Sequence, residues 1–322
     1  MILAGDIGGT HARFALFHES GEFTMHEEEK FLSRDHRSLE EIVHLYLKDK
    51  KIQVQSASFG VAGAVREGRC QATNLPWIID AHRLKDELKI PVVHIINDLE
   101  ANAYGIRVVK PDELLVVQAG HKQTGNQALI AAGTGLGEAG VYWDGKRHHP
   151  FACEGGHADF APRNEEEHEL CLYLRKRYRH VSYERVLSGP GILAIYQFLI
   201  ETGRQTPSKE VEMEMKRRDP SAVVSDYGKL GRDPACTVAI DLFISIYGAE
   251  AGNLALKFLA LGGLYIGGGI APHLADRIKM GGFHSSFVDK GRFNELLSSI
   301  PIYLILNSKT ALLGSAAFAR GL

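Results

Sequence analysis

The sequence predicts an α/β protein of two modules, each a layer of strands flanked by helices. At 322 residues the chain is long enough for about two domains of ~100–200 residues. Short apolar runs alternate with stretches of helical period, the pattern of a layered α/β fold. A strand, a glycine turn and a returning strand occur near the N-terminus and again in the middle of the chain, a weak self-similarity rather than a sequence repeat.

In the first module, Ile2–Asp6 reads as a strand, Ile7-Gly8-Gly9-Thr10 as a turn and Ala12–Phe17 as the returning strand. A third strand is expected at Thr24–Phe31. Leu39, Ile42, Val43, Tyr46 and Leu47 recur at helical spacing. Val54–Val61 is a strand, Leu84–Leu88 a short helix and Val92–Ile96 a buried strand, after which Asn97-Asp98-Leu99-Glu100 opens a helix. The second module begins near Leu114, with strands at Leu114–Gln118 and Gln127–Ala132, a glycine turn at Gly133–Gly140 and a strand at Val141–Trp143. Asn164 caps a helix to Tyr178, with Glu165–Glu167 at its positive end and Arg175–Arg179 at its negative end. Helices follow at Gly191–Glu201 and Thr237–Leu259, strands at Leu264–Ile266 and Tyr303–Leu306, and a last helix at Thr310–Arg320. The restart of the strand pattern puts the boundary near residue 108.

Composition excludes several classes. Lys+Arg number 37 and Asp+Glu 39, a balance unlike the strongly basic domains of nucleic-acid binders. The four cysteines, Cys70, Cys153, Cys171 and Cys236, lack the spacing of a zinc site and are too sparse for a disulfide scaffold. MILAGDIGG has no cationic start, so no signal peptide is expected. The greasiest stretch, Leu254–Ile270, holds Lys257 and five glycines, so no membrane span is expected either. These points together predict a cytoplasmic protein with reduced thiols. Glycine is abundant, 34 residues against a usual ~7%, and it is grouped rather than spread, as at turns where backbone approaches a ligand.

Asp6-Ile-Gly-Gly-Thr10 suits Mg²⁺-phosphate binding: a carboxylate for metal-bound water, turn N–H groups and a hydroxyl for phosphate oxygens. In isolation a plain glycine hairpin is the commoner reading. Gly135, Gly137 and Gly140 spell G-x-G-x-x-G, with Glu154 about twenty residues on as a dinucleotide site would want. That fingerprint must open a helix, whereas Val141–Trp143 reads as a strand, so a phosphate-contacting hairpin fits better than a nicotinamide site. Asn97-Asp98 ends a strand, where an aspartate can accept a proton from a hydroxyl. Equally, Asn97 with Glu100 is a plain capping pair. Glu154-Gly-Gly-His157 offers a carboxylate and an imidazole to a polyol, a metal pair or solvent. Glu184 follows Ser182, a candidate helix cap, and suits a first helical turn. Gly262–Pro272 runs a buried strand into three glycines and a helix, able to admit an adenine or simply to pack.

In this order the segments closely resemble one family, the bacterial glucokinases of the hexokinase, heat-shock-ATPase and actin superfamily. The match runs through Asp6–Thr10, Thr73-Asn-Leu-Pro-Trp77, Asn97-Asp98, Gly133–Gly137, Glu154–His157, His180–Pro190 and Gly267–Pro272, nearly the whole chain. The resemblance implies a two-domain actin-like ATPase (ribonuclease H-like) fold with ATP in an interdomain cleft. A small domain, 1–108, takes back the C-terminal segment 307–322, and a large one spans 109–306. It implies that Asp6, Gly8, Gly9, Thr10, Thr134, Gly135, Gly268 and Gly269 hold ATP, with Mg²⁺ on Asp6 through water. It implies that Asn97, Asp98, Glu154, His157 and Glu184 hold D-glucose, with Asp98 as base. The expected reaction is ATP-dependent formation of glucose 6-phosphate, the entry step of glycolysis, by a homodimer with no nucleic-acid or membrane partner. A kinase of another hexose is the nearest alternative. A sugar-sensing regulator on the same fold would add a DNA-binding segment, for which the first strand at residue 2 leaves no room. His11 departs from the family, where Asn is common after the threonine. A related kinase group shares E-x-G-H but adds a cysteine-rich zinc motif absent here, so His157 is not assigned to zinc.

Overall fold

The computed structural model describes residues 1–73 and 75–322, and it divides the chain into two compact units. Asn74, inside one of the family-like segments, lies outside the described residues. Unit 1 comprises Met1–Glu113, Pro150–Ala152 and Asn307–Leu322; unit 2 comprises Leu114–His149 and Cys153–Leu306.

Unit 1 holds a five-stranded sheet of order β3-β2-β1-β4-β8. Its strands are β1 (Ile2–Ile7), β2 (His11–Phe17), β3 (Met25–Leu32), β4 (Ser56–Val61) and β8 (Val92–Asn97). A small sheet of β5 (Val65–Arg66), β6 (Arg69–Gln71) and β7 (Ile78–Asp80) intervenes. Helices are α1 (Leu39–Leu47), α2 (Ala81–Leu88), α3 (Asp98–Gly105) and the C-terminal helix Thr310–Ala319. Ser38 starts α1 by accepting the Glu41 N–H, and Asp80 starts α2 by accepting those of His82 and Arg83. The latter cap makes α2 longer than the Leu84–Leu88 period alone indicates. Phe14, Tyr46 and Phe59 are fully buried, with ring centroids 5.5 Å (Phe14–Tyr46) and 6.2 Å (Phe14–Phe59) apart. Each such ring contributes about 1.5–3 kcal/mol by leaving water. β8 is buried only in its second half: Val92 and His94 are exposed, so the expectation of a wholly buried strand fails at its first turns.

Unit 2 holds a six-stranded sheet of order β12-β11-β10-β13-β14-β9. The strands are β9 (Leu114–Gln118), β10 (Gln127–Ala132), β11 (Leu136–Trp143), β12 (His148–Cys153), β13 (Gly263–Gly267) and β14 (Ile302–Ile305). The expected turn Gly133–Gly140 is shorter than read: β11 begins at Leu136, because Gly137 and Gly140 pair with Ala131 and Ala128 as ladder residues. The helices are α4 (Glu165–Arg175), α5 (Gly189–Glu201), α6 (Lys209–Met215), α7 (Pro220–Lys229), α8 (Pro234–Phe258), α9 (Ile270–His273), α10 (Ala275–Lys279), α11 (Gly282–Val288) and α12 (Asn294–Ser299). α4 stops at Arg175, short of Tyr178. The longest apolar element is α8 rather than 254–270. It is long and apolar enough to cross a membrane, and 78% of its most apolar window is buried in the core of unit 2, where its Tyr247 meets Phe283 of α11. That is the placement of a core helix.

Both sheets repeat one order. In each, an antiparallel hairpin (β1–β2, β10–β11) stands beside two strands parallel to its first strand (β4 and β8, β13 and β14).

Candidate active site

In unit 1 the parallel register aligns Asp6 with Gly60 and Gly60 with Ile96; one step on it aligns Ile7, Val61 and Asn97. The carboxyl ends of three strands therefore lie side by side, the edge where open α/β sheets bind ligands. Asp6 stands at this edge opposite Arg13 on β2. Burial pushes the Asp6 carboxyl up, and the Arg13 charge opposes this. The turn after β1 is pinned by buried Ser33, whose Oγ donates to Gly8 O at 2.8 Å and whose N–H donates to Thr10 O at 3.0 Å. Gly8 N–H donates to His11 O at 2.9 Å, while the N–H groups of Gly9 and Thr10 have no partner among the described residues. Two such donors beside the exposed Thr10 hydroxyl form a concavity suited to an anion. His11 begins β2. Its imidazole is held below its ordinary value by burial first, then by the charges of Lys30, Arg13 and Arg34.

Asn97 closes β8 and caps α3. Its Oδ1 accepts the N–H groups of Leu99 (2.9 Å) and Glu100 (3.3 Å), and its Nδ2 donates to Gly63 O at 3.0 Å. The Glu100 carboxyl, three residues on, is pushed up by burial, and the Asn97 backbone opposes this. Capping therefore consumes the Asn97 carbonyl, and one Nδ2 hydrogen remains for a ligand. Half-buried Asp98 opens α3; its Oδ1 accepts the Leu99 N–H at 3.0 Å.

In unit 2, β10 and β13 are parallel with Ala131 opposite Gly267, so the turns that follow them are neighbours. One carries Thr134 and Gly135, the other Gly268 and Gly269. The first is closed by Gly133 N–H to Gly135 O (2.8 Å) and tied to α5 by Gly189 N–H to Gly133 O (2.8 Å). Gly268 has φ +79°, and a methyl there would meet Ala132 O at 2.2 Å, so only glycine fits.

Glu154 and His157 are exposed on a single 3-10 turn after β12. The chain beyond that turn pairs with 181–183: Phe160 N–H donates to Val181 O at 2.9 Å, and Tyr183 N–H to Ala158 O at 3.0 Å. Glu184 follows directly, its Oε2 accepting the Leu136 N–H at 3.1 Å. Three polar groups are thereby gathered at the start of β11. Ser182 makes no side-chain cap; Ser188 takes that role for α5 by accepting the Gly191 N–H.

Asp6, Gly8, Gly9, Thr10, Asn97 and Asp98 thus lie in unit 1, and Thr134, Gly135, Glu154, His157, Glu184, Gly268 and Gly269 in unit 2. Sequence reading missed Arg13 opposite Asp6, and it missed Glu138, a carboxyl 1% exposed beneath the Glu154–His157 turn. The available signal for Glu138 was a lone charge among glycine and alanine in Leu136–Gly140. Among the described residues no group of three or more His, Cys, Asp or Glu could hold a metal ion.

Duplicated sheets of one order, each with glycine turns at the carboxyl ends of its parallel strands, define a two-domain actin-like ATPase fold. A solved glucokinase from an Antarctic psychrotroph shares that fold, with a TM-score of 0.86 and 31% identity over 100% of this chain and 99% of that one. A family model described as Glucokinase matches residues 3–322. A glucokinase from Nostoc sp. strain PCC 7120 is 42% identical over 100% of this chain and 99% of its own length. The chain belongs to the glucokinase family. A ROK-family glucokinase from Streptomyces griseus, solved in complex with glucose and AMPPNP, has a TM-score of 0.68 at 20% identity over 100% of this chain and 99% of that one, a likeness of fold.

Proposed function

We propose that this protein transfers the γ-phosphoryl group of ATP to the 6-hydroxyl of D-glucose, giving glucose 6-phosphate and ADP. The observation that carries this is the placement of Asp98 on the same carboxyl-end sheet edge as the glycine turn after Asp6. Membership of the glucokinase family supports the sugar, and the glucose and AMPPNP bound by the Streptomyces griseus neighbour support both substrates.

Phosphoryl transfer depends mostly on positioning and charge neutralisation. The Gly9 and Thr10 N–H groups, the Thr10 hydroxyl and the turns at Thr134–Gly135 and Gly268–Gly269 would hold ATP. Asp6 fits a cation held through water. A cation there would favour the ionised carboxyl that burial alone makes costly, and an ion carried mainly by phosphates needs few protein ligands. Bound Mg²⁺ would neutralise phosphate charge. Asn97, Glu154, His157 and Glu184 would pair with the sugar hydroxyls, and Asp98 would take the proton of the 6-hydroxyl. A wrong epimer leaves one of these groups unpaired, at about 1–3 kcal/mol. A homodimer in the cytoplasm belongs to the same proposal, on family resemblance alone.

A coupled assay for sugar 6-phosphate with ATP and Mg²⁺, across glucose, mannose, fructose and N-acetylglucosamine, tests the reading. Strong preference for glucose is expected. Turnover of another sugar alone would overturn the substrate, and no turnover from folded protein would overturn the activity. Glu154→Ala should weaken glucose binding about 10-fold or more, since a hydrogen bond to a charged group contributes roughly 1.5–3 kcal/mol. An unchanged glucose Kd in calorimetry would remove Glu154 from the site.

A further inference from the structure

Beneath the Glu154–His157 turn lies a buried acidic pair that the proposed reaction does not use. Glu138 on β11 and Glu250 on α8 are 1% and 0% exposed and face each other. Glu250 has partners: Lys257 Nζ donates to its Oε1 at 3.2 Å and Asn253 Nδ2 to its Oε2 at 2.7 Å. Among the described residues, buried Glu138 Oε1 has no donor. Its other oxygen lies directly under the turn, where a methyl on Gly155 would stand 1.8 Å from Oε2. The Glu138 backbone carbonyl also accepts from Cys153 Sγ, one residue before Glu154. Glu250 reaches the other sugar segment, because it lies against Tyr183, the neighbour of Glu184, and Asn253 Nδ2 donates to the Tyr183 hydroxyl at 3.1 Å.

We infer that Glu138 keeps a proton in the folded protein, and that this protonated carboxyl holds the Glu154–His157 turn in its sugar-binding conformation, which makes Glu138 a positioning residue for glucose. This rests on the assignment of Glu154, His157 and Glu184 to the sugar. Ionising Glu138 in a buried site against the charge of Glu250 is costly, so Glu138 remains protonated. The Glu138 proton then donates toward Glu250 and supplies the hydrogen bond that Glu138 otherwise lacks. The charged and titratable groups around the pair are Lys257 and Tyr247 on α8, Cys153 and Glu154 at the turn, and Tyr183 and Lys290 facing Glu250. Lys257 is the cation that favours ionisation of Glu138, and it already serves Glu250. Burial first, then Glu250, push the Glu138 carboxyl up to about 8. Because folding raises this carboxyl above its unfolded value, the folded state binds the extra proton. The penalty is absent below about pH 4.5, grows as pH rises toward 8 and is complete above it.

The test is glucose affinity by calorimetry between pH 7 and pH 9, on the full chain. If the ionised pair releases the turn, the wild-type Kd rises by up to about 10-fold across one pH unit either side of 8. Affinity for AMPPNP, which does not touch this turn in the proposed site, should not follow it. Glu138→Gln keeps the shape, cannot ionise and should flatten the profile; Glu138→Ala should weaken glucose at both pH values. Should Glu138→Gln not fold, Glu250→Gln relieves the repulsion from the other side and should abolish the rise between pH 7 and 9. A Gln variant whose glucose Kd climbs as the wild type's does overturns the inference, as does a flat wild-type profile with glucose bound throughout. No glucose binding by the wild type at any pH would instead remove the sugar assignment on which it stands.

Discussion

Replacing Asp98 by Asn leaves a folded protein that still binds glucose but has lost at least about 10²-fold of its kcat. The fold survives because the contact Asp98 makes with its own helix needs only an oxygen. Oδ1 accepts the Leu99 N–H at 3.0 Å, an amide oxygen accepts as well, and Asn97 Oδ1 accepts the same N–H at 2.9 Å. Glucose binding survives because an amide still accepts from the 6-hydroxyl. The amide cannot take the proton. Positioned general bases contribute about 10²–10⁴ in rate. Phosphoryl transfer through a loose transition state asks little of its nucleophile, which places the expected loss toward the lower end. Steady-state kcat with glucose Kd by calorimetry separates the two effects. A near-normal kcat would end the assignment of Asp98 as base.

Much of the fold was legible because periodicity reports burial. Leu39–Leu47 shows helical spacing and is the helix α1; Leu114–Gln118 and Gln127–Ala132 are the strands β9 and β10 at the expected bounds. Glycine misled where its freedom is not used. Gly137 and Gly140 read as turn residues, yet they occupy paired positions of β11. The candidate ligand turns were readable from local sequence, because Asp6–Thr10 and Gly267–Gly269 each begin in the last residues of a strand and run past its end. What was not readable is what tertiary packing creates. Asn97 admitted both a cap and a ligand, and only the structure shows the carbonyl spent on Leu99 and Glu100. Glu138 and Glu250 stand 112 positions apart (250 less 138), so no window of sequence shows them as a pair. Helices α6, α7 and α10 to α12 went unread because each is short and only partly apolar, which leaves little period to detect.

Gly314→Ala should lower the Tm of the protein by about 2–6 °C. Gly314 sits mid-helix, where alanine ordinarily gains up to about 1 kcal/mol in propensity. Here the C-terminal helix packs backbone to backbone on α3: a methyl at Gly314 would stand 1.7 Å from Ala101 O and 2.6 Å from Gly105 N. The contact is reciprocal, since a methyl at Gly105 would stand 2.3 Å from Thr310 O. Neither clash involves the end of a flexible side chain, so the helices must separate. Overpacking of this kind costs about 1–3 kcal/mol and sometimes more, which outweighs the propensity gain. Separation also strains a second tie: the buried Ser315 hydroxyl donates to Gly5 O at 2.9 Å and accepts the Gly60 N–H at 3.1 Å, joining the same helix to β1 and β4. Because α3 begins at Asp98 and β1 carries Asp6, the C-terminal helix packs against the elements that carry both candidate site carboxylates of unit 1. Thermal unfolding of Gly314→Ala, with Leu313→Ala as a neighbour on the same helix, measures it. A Tm equal to that of the wild type would mean that α3 tolerates the displacement, and that Asp98 owes its position to the Asn97 cap rather than to the helix behind it.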